Sequence, residues 1–155
     1  MRILLLAAAL LLPVAASAGD TMVGGPSTWT WNAKESTLPP GSPAPKSQVM
    51  NVTKDDGTTV DWTITAVTAD GQTTSKSWSG PFDGKLRPVQ GRDGVSVGFG
   101  PAGKNAYLVK WEMTNGATGT ETCTRSNGGK KITCKCSAKL PDGKTIDYVD
   151  VLDRN

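Results

Sequence analysis

Apolar and polar positions alternate along much of this chain with a period of two. Val60, Trp62, Ile64 and Ala66 are interleaved with Thr59, Asp61, Thr63 and Thr65, and Tyr107, Val109, Trp111 and Met113 with Leu108, Lys110 and Glu112. Residues two apart on a strand share a face, so each stretch predicts a half-buried strand with its apolar set turned inward. Asp56-Gly57, Asp70-Gly71, Asp83-Gly84, Asp93-Gly94, Asn115-Gly116, Asn127-Gly128 and Asp142-Gly143 punctuate short runs rich in Val, Thr, Trp and Tyr. These dipeptides supply the positive φ of tight turns and predict an antiparallel meander. Strands are expected near 27–32, 46–54, 58–67, 72–79, 85–90, 94–99, 105–114, 118–125, 130–139 and 144–153, and no segment carries a sustained helical period. A sheet of so many consecutive strands removes its exposed edges by curling shut. The expected class is all-β, an antiparallel up-and-down barrel of about eight to ten strands. Pro39, Pro40, Pro43 and Pro45 forbid a ladder strand and predict a stiff connection from the first strand to the second.

The stretch from Thr118 to Asp153 holds all three cysteines, and Asn127-Gly128-Gly129 and Pro141-Asp142-Gly143 divide it into three strands. With Gly128 and Gly129 central in the first turn, Cys123 falls opposite Cys134 and a cross-strand disulfide becomes available. A different turn register would set Cys136 opposite Cys123 instead, since connectivity does not follow from sequence alone.

Residues 1–18 combine Arg2, an apolar run and the small-x-small ending Ala16-Ser17-Ala18, the form of a secretory signal peptide. Its removal leaves a single domain at 19–155 in an oxidising compartment, periplasmic or secreted, where a disulfide persists. The apolar run is short for a membrane span, and no second one follows it, so no transmembrane segment is expected after cleavage. The whole sequence carries a formal charge of +3, too little for a nucleic-acid binder. It has no histidine, which removes the commonest general base and metal ligand together. No cofactor motif is present, and no metal site, cofactor or catalytic residue is expected.

Ser27-Thr28-Trp29, the Asn32–Ser36 run and Pro40-Gly41-Ser42-Pro43-Ala44-Pro45-Lys46-Ser47 resemble the opening of small secreted bacterial lipocalin-like proteins. The similarity continues through the Asp-Gly turns to Asp142-Gly143-Lys144 and a last strand bearing Val149 and Val151. It implies a calycin-type β-barrel whose lumen or mouth holds a small apolar or amphipathic molecule, and it implies no reaction. The cysteines depart from the family pattern.

Trp62, Trp78, Tyr107, Trp111 and Met113 are the candidate lining of such a lumen, large polarizable groups with a few polar tips. Trp29 and Trp31 share an inward face on the first strand, and the five tryptophans are also the main material for filling a core. Asp61, Glu112, Glu121, Asp147 and Asp150 fall within strands and are expected on solvated outer faces. Lys131, Lys135 and Lys139 alternate along the ninth strand beside Arg125 and Lys130, a candidate basic stripe for an acidic protein or an envelope surface. The expectation is therefore a non-enzymatic binding protein for a small apolar or amphipathic ligand. The alternatives are a protein-interaction barrel, such as an inhibitor of an envelope hydrolase, or a structural envelope protein.

Overall fold

Each predicted Asp-Gly or Asn-Gly turn places its glycine at positive φ, and the strands between them pair in chain order. A computed structural model describes residues 21–155; the signal-peptide segment 1–18 lies outside the described residues. The strands are β1 (Ser27–Trp31), β2 (Ser47–Asp55), β3 (Thr59–Val67), β4 (Thr73–Pro81), β5 (Arg87–Pro88), β6 (Val95–Pro101), β7 (Ala106–Met113), β8 (Thr118–Ser126), β9 (Lys131–Lys139) and β10 (Thr145–Arg154). All ten form one antiparallel sheet in the order β4-β3-β2-β1-β10-β9-β8-β7-β6-β5. The up-and-down meander is joined at its chain ends, where Trp31 of β1 lies opposite Leu152 of β10. The remaining gap, between β4 and β5, is spanned by Ser77 and Gln90, whose amides and carbonyls exchange bonds of 3.0 and 2.9 Å. The barrel is thus nearly closed. The fifth strand is shorter than its sequence suggested because Pro88 has no N–H to extend a ladder.

Close backbone approach decides two glycines. A Cβ on Gly98 of β6 would stand 2.6 Å from the Lys85 carbonyl oxygen, so the Asp83–Lys85 turn crosses directly over the strand there. A Cβ on Gly119 of β8 would stand 2.3 Å from the Trp111 ring, which lies across that position from the neighbouring strand. The glycine gives the indole its place inside the barrel.

Inward faces build the core. Trp29, Val52, Val60, Cys123 and Ile132 are fully enclosed, and Trp62 and Trp78 reach Phe99 across the interior, with ring centroids 6.0 and 4.8 Å apart and edge-to-face geometry. One end of the barrel is sealed by residues 21–25. A register shift between Val52 and Lys54 turns Asp55 inward, where its carboxylate accepts the backbone N–H groups of Met22 (2.8 Å), Val23 (2.7 Å) and Gly25 (3.0 Å). Asp55, 4% exposed, is the most fully enclosed charged side chain of the described residues, and these three donors meet the need that burial creates. The proline-rich segment connects β1 to β2 as expected, and Thr37 and Ser36 next to it bond the β10 backbone at Val149 and Val151.

In the β8–β9 hairpin Cys123 stands opposite Cys134, with Cα atoms 3.9 Å apart and the two sulfurs joined. Asn127–Gly129 forms a short 3-10 turn with Gly128 at φ 64°, which preserves the expected register. Cys136 remains a buried free thiol.

Candidate functional site

A cavity of about 300 Å³ occupies the barrel interior, floored by Met22 of the plugging segment. Its lining comes from nearly every strand, because each contributes its inward set in turn. Trp62 from β3 and Tyr107, Trp111 and Met113 from β7 line it, as the alternation placed them. Trp78 does not. Its inward face is spent in the core, where the ring packs on Phe99 and its indole N–H donates to the Val97 carbonyl at 3.1 Å, tying β4 to β6 beside the barrel's gap. Trp31 and Tyr148 supply further aromatic wall.

The charged groups of the cavity were not foreseen as such. Glu121 and Asp150, expected on solvated faces, both point inward. The reason is parity: Glu121 is two residues from the enclosed Cys123 on β8, and Asp150 lies opposite Cys134 on β10's pairing with β9. The other three strand carboxylates, Asp61, Glu112 and Asp147, have odd parity to their inward neighbours and stay on the outer face. Lys76 of β4 also lines the cavity, on the wall reached through Ile64, and Arg92 stands at its rim in the turn before β6.

Enclosure sets the protonation of these groups. Burial, reinforced by the nearby Asp150 charge, pushes the Glu121 carboxyl up to about 7, with the Cys136 thiol, Lys76 and the Trp111 indole only partly offsetting it. Burial likewise raises Asp150, against a hydrogen bond of 3.2 Å from the Trp31 indole N–H and the charge of Lys76. Lys76 is shifted down by burial and by Arg92, despite both carboxylates. Burial raises Tyr107, Tyr148 and Cys136, so all three stay neutral across physiological pH. Glu121, Cys123 and Cys134 bring donor atoms within 4.8 Å of one another, but the disulfide consumes both thiolates that a metal would need.

The basic stripe is divided. Lys135 and Lys139 are exposed on β9, whereas Lys131 is held by Glu35 (2.7 Å) and Asp153 (2.9 Å) and its charge is answered locally. Lys130 sits in the hairpin turn. Arg125 leaves the stripe altogether: it shares the inward parity of Cys123 and reaches the plugging segment, where its guanidinium donates to Thr21 Oγ1 at 3.2 Å.

No protein-family model matches this chain, and no curated protein sequence does. Among solved structures it is similar to the fluorescent protein UnaG, at 13% identity over 83% of this chain and 96% of that one, with a TM-score of 0.51. A point variant of UnaG aligns at 14% identity over 83% of this chain and 94% of its own, with a TM-score of 0.53. At such identity the likeness is one of fold, and it agrees with the ten-stranded, nearly closed antiparallel β-barrel described above.

Proposed function

We propose that this protein is a non-enzymatic binding barrel, exported to the periplasm or beyond, that holds a small amphipathic molecule inside. The observation that carries the reading is the cavity of about 300 Å³ walled by Trp31, Trp62, Trp111, Tyr107 and Tyr148. That volume lies at the small end of ligand pockets, and a wall of aromatics with a few convergent polar groups is their usual make-up. Apolar burial against the rings supplies affinity, and the charged groups orient the ligand. The absence of histidine from the sequence and the neutral state of Cys136 favour binding over nucleophilic chemistry. Export rests on the signal-peptide form of residues 1–18 and on the disulfide.

The test is native mass spectrometry of the chain purified from its natural host, repeated after denaturation. A co-purifying mass that disappears on unfolding supports the reading, and an N-terminus at Gly19 supports export. A bare chain that also leaves tryptophan fluorescence unchanged across a panel of small amphiphiles refutes the binding function. The interaction-barrel alternative is weakened by Lys131, whose charge is already paired with Glu35 and Asp153.

A further inference from the structure

The cavity encloses an unequal set of charges. Glu121 and Asp150 project from β8 and β10 on either side of β9, opposite Cys136 and Cys134 respectively and roughly 12 Å apart at the backbone. Lys76 faces them from β4 and forms no ion pair with either among the described residues, while Arg92 lies exposed at the rim. Two carboxylates and one ammonium leave the enclosed space one negative charge in excess when all are ionised. An anionic occupant would meet both carboxylates, whereas a cation completes the balance. The aromatic walls favour the same sign, since ring faces attract an ammonium, most strongly when it is desolvated. Trp62 adds a second requirement: it is 5% exposed and lines the same cavity, yet its indole N–H has no partner among the described residues. An enclosed donor of this kind calls for an acceptor from the occupant.

Resting on the binding function proposed above, we propose that the occupant is a small organic cation of the hydroxyarylalkylamine class, its ammonium between Glu121 and Asp150 and its ring among Trp31, Trp62 and Trp111. A cavity of about 300 Å³ has room for a single ring with a short amine arm. The hydroxyl supplies the acceptor that Trp62 lacks. Binding is coupled to the protonation of Glu121, which is faced by Asp150 and Tyr148 of β10, Cys136 of β9, Tyr107 and Trp111 of β7, Lys76 of β4 and, from the rim, Arg92. Tyr107, Tyr148 and Cys136 remain neutral, whereas Glu121 changes charge near pH 7. A cation prefers the ionised carboxylate, so affinity rises with pH through about 7.

The test compares tyramine, 4-ethylphenol and 3-(4-hydroxyphenyl)propionate, which share a phenol and differ in charge, by titration of tryptophan fluorescence and calorimetry. Tyramine should bind at least about tenfold more tightly than either of the others at pH 8, and lose about tenfold in affinity on going to pH 6, while 4-ethylphenol holds constant. Glu121→Gln should abolish both the charge preference and the pH dependence. Asp150→Asn, a second near-isosteric variant, should reduce the preference; unfolding curves confirm that each variant is folded. Equal binding of tyramine and 4-ethylphenol overturns the cation and leaves the binding function standing. Tightest binding of the carboxylate overturns it in favour of Lys76. Failure of all three overturns the hydroxyaryl cation, while the binding function is decided separately by the co-purifying mass.

Discussion

Substituting Asp55 by Asn tests how the barrel is sealed. The wild-type carboxylate accepts one N–H at Oδ1 and two at Oδ2, all between 2.7 and 3.0 Å, and Asp55 is 4% exposed. An Asn amide has the same shape but only one acceptor oxygen, so its NH2 must confront at least one backbone donor of residues 22–25. The change removes one or two charge-assisted bonds, each contributing about 1.5–3 kcal/mol, and leaves a buried donor unmet. A loss of roughly 2–4 kcal/mol in unfolding free energy is expected, large against the total stability of a domain this size. Urea titration measures it. Amide hydrogen exchange then localises it, because Met22, Val23 and Gly25 should lose protection while the β7–β9 ladder keeps its relative order of exchange. Met22 floors the cavity, so the variant should also bind the cavity's ligand more weakly. A stability change under about 0.5 kcal/mol, or undiminished protection at Met22 and Val23, would refute the clamp.

Reduction of the Cys123–Cys134 bridge, which closes a loop of sequence separation 11, should cost about 2.8 kcal/mol in the chain-entropy model, read as a shift in urea midpoint; no shift would mean that the hairpin is equally restrained without it. Native protein should leave Cys136 unmodified by thiol reagents until it unfolds, since the thiol is buried and raised, and ready alkylation would contradict that placement. The folded Glu121 carboxyl titrates at about 7, above its ordinary 4.5, so the native state binds the extra proton between those values. Stability should therefore fall as pH rises from about 4.5 to about 7, by up to roughly 3 kcal/mol, and flatten above it; Glu121→Gln should erase the slope, and a rise over that window would be the wrong sign. Gly119→Val should drive the Trp111 ring into the cavity, altering the tryptophan emission and weakening ligand binding at least about tenfold, with unchanged binding as the contrary result.

Period and turn chemistry made the architecture legible. Val60, Trp62 and Ile64 declared the inward face of β3, the Asp-Gly dipeptides declared the turns, and a turn centred on Gly128-Gly129 offered the register that aligns Cys123 with Cys134, one of two the sequence left open. The interior charges were illegible for a reason of the same kind. Hydrophobicity marks an inward face only where that face is dry, and β8 reads Gly119, Glu121, Cys123, Arg125 on its inner side against threonines outside. Nothing in that composition separates in from out. What could have found Glu121 is parity with Cys123, a covalent constraint that the disulfide prediction already contained. Asp55 was hidden differently, since a register shift after Val52 reverses the alternation and no residue type in β2 announces it. Trp78 was assigned to the right face, but face alone does not separate lining from packing; its contact with Phe99 comes from a strand distant in the sheet.

The same parity explains why this interior is a site and not merely a core. A barrel of this size could be filled by side chains, and its lower layer is: Trp29, Val52, Val60 and Ile132 are fully enclosed and line no part of the cavity. One layer up, the chain places Lys76, Glu121 and Asp150, whose enclosure each raises or lowers its proton affinity and so works against the folded state. The disulfide beside them, the Asp55 clamp below and the Ser77–Gln90 closure hold the wall in spite of that cost. A core selected for stability alone would gain by replacing the three with apolar groups of similar volume. Their retention makes sense where an occupant completes the charge balance, and any such occupant, binding only the folded barrel, must raise its melting temperature with concentration.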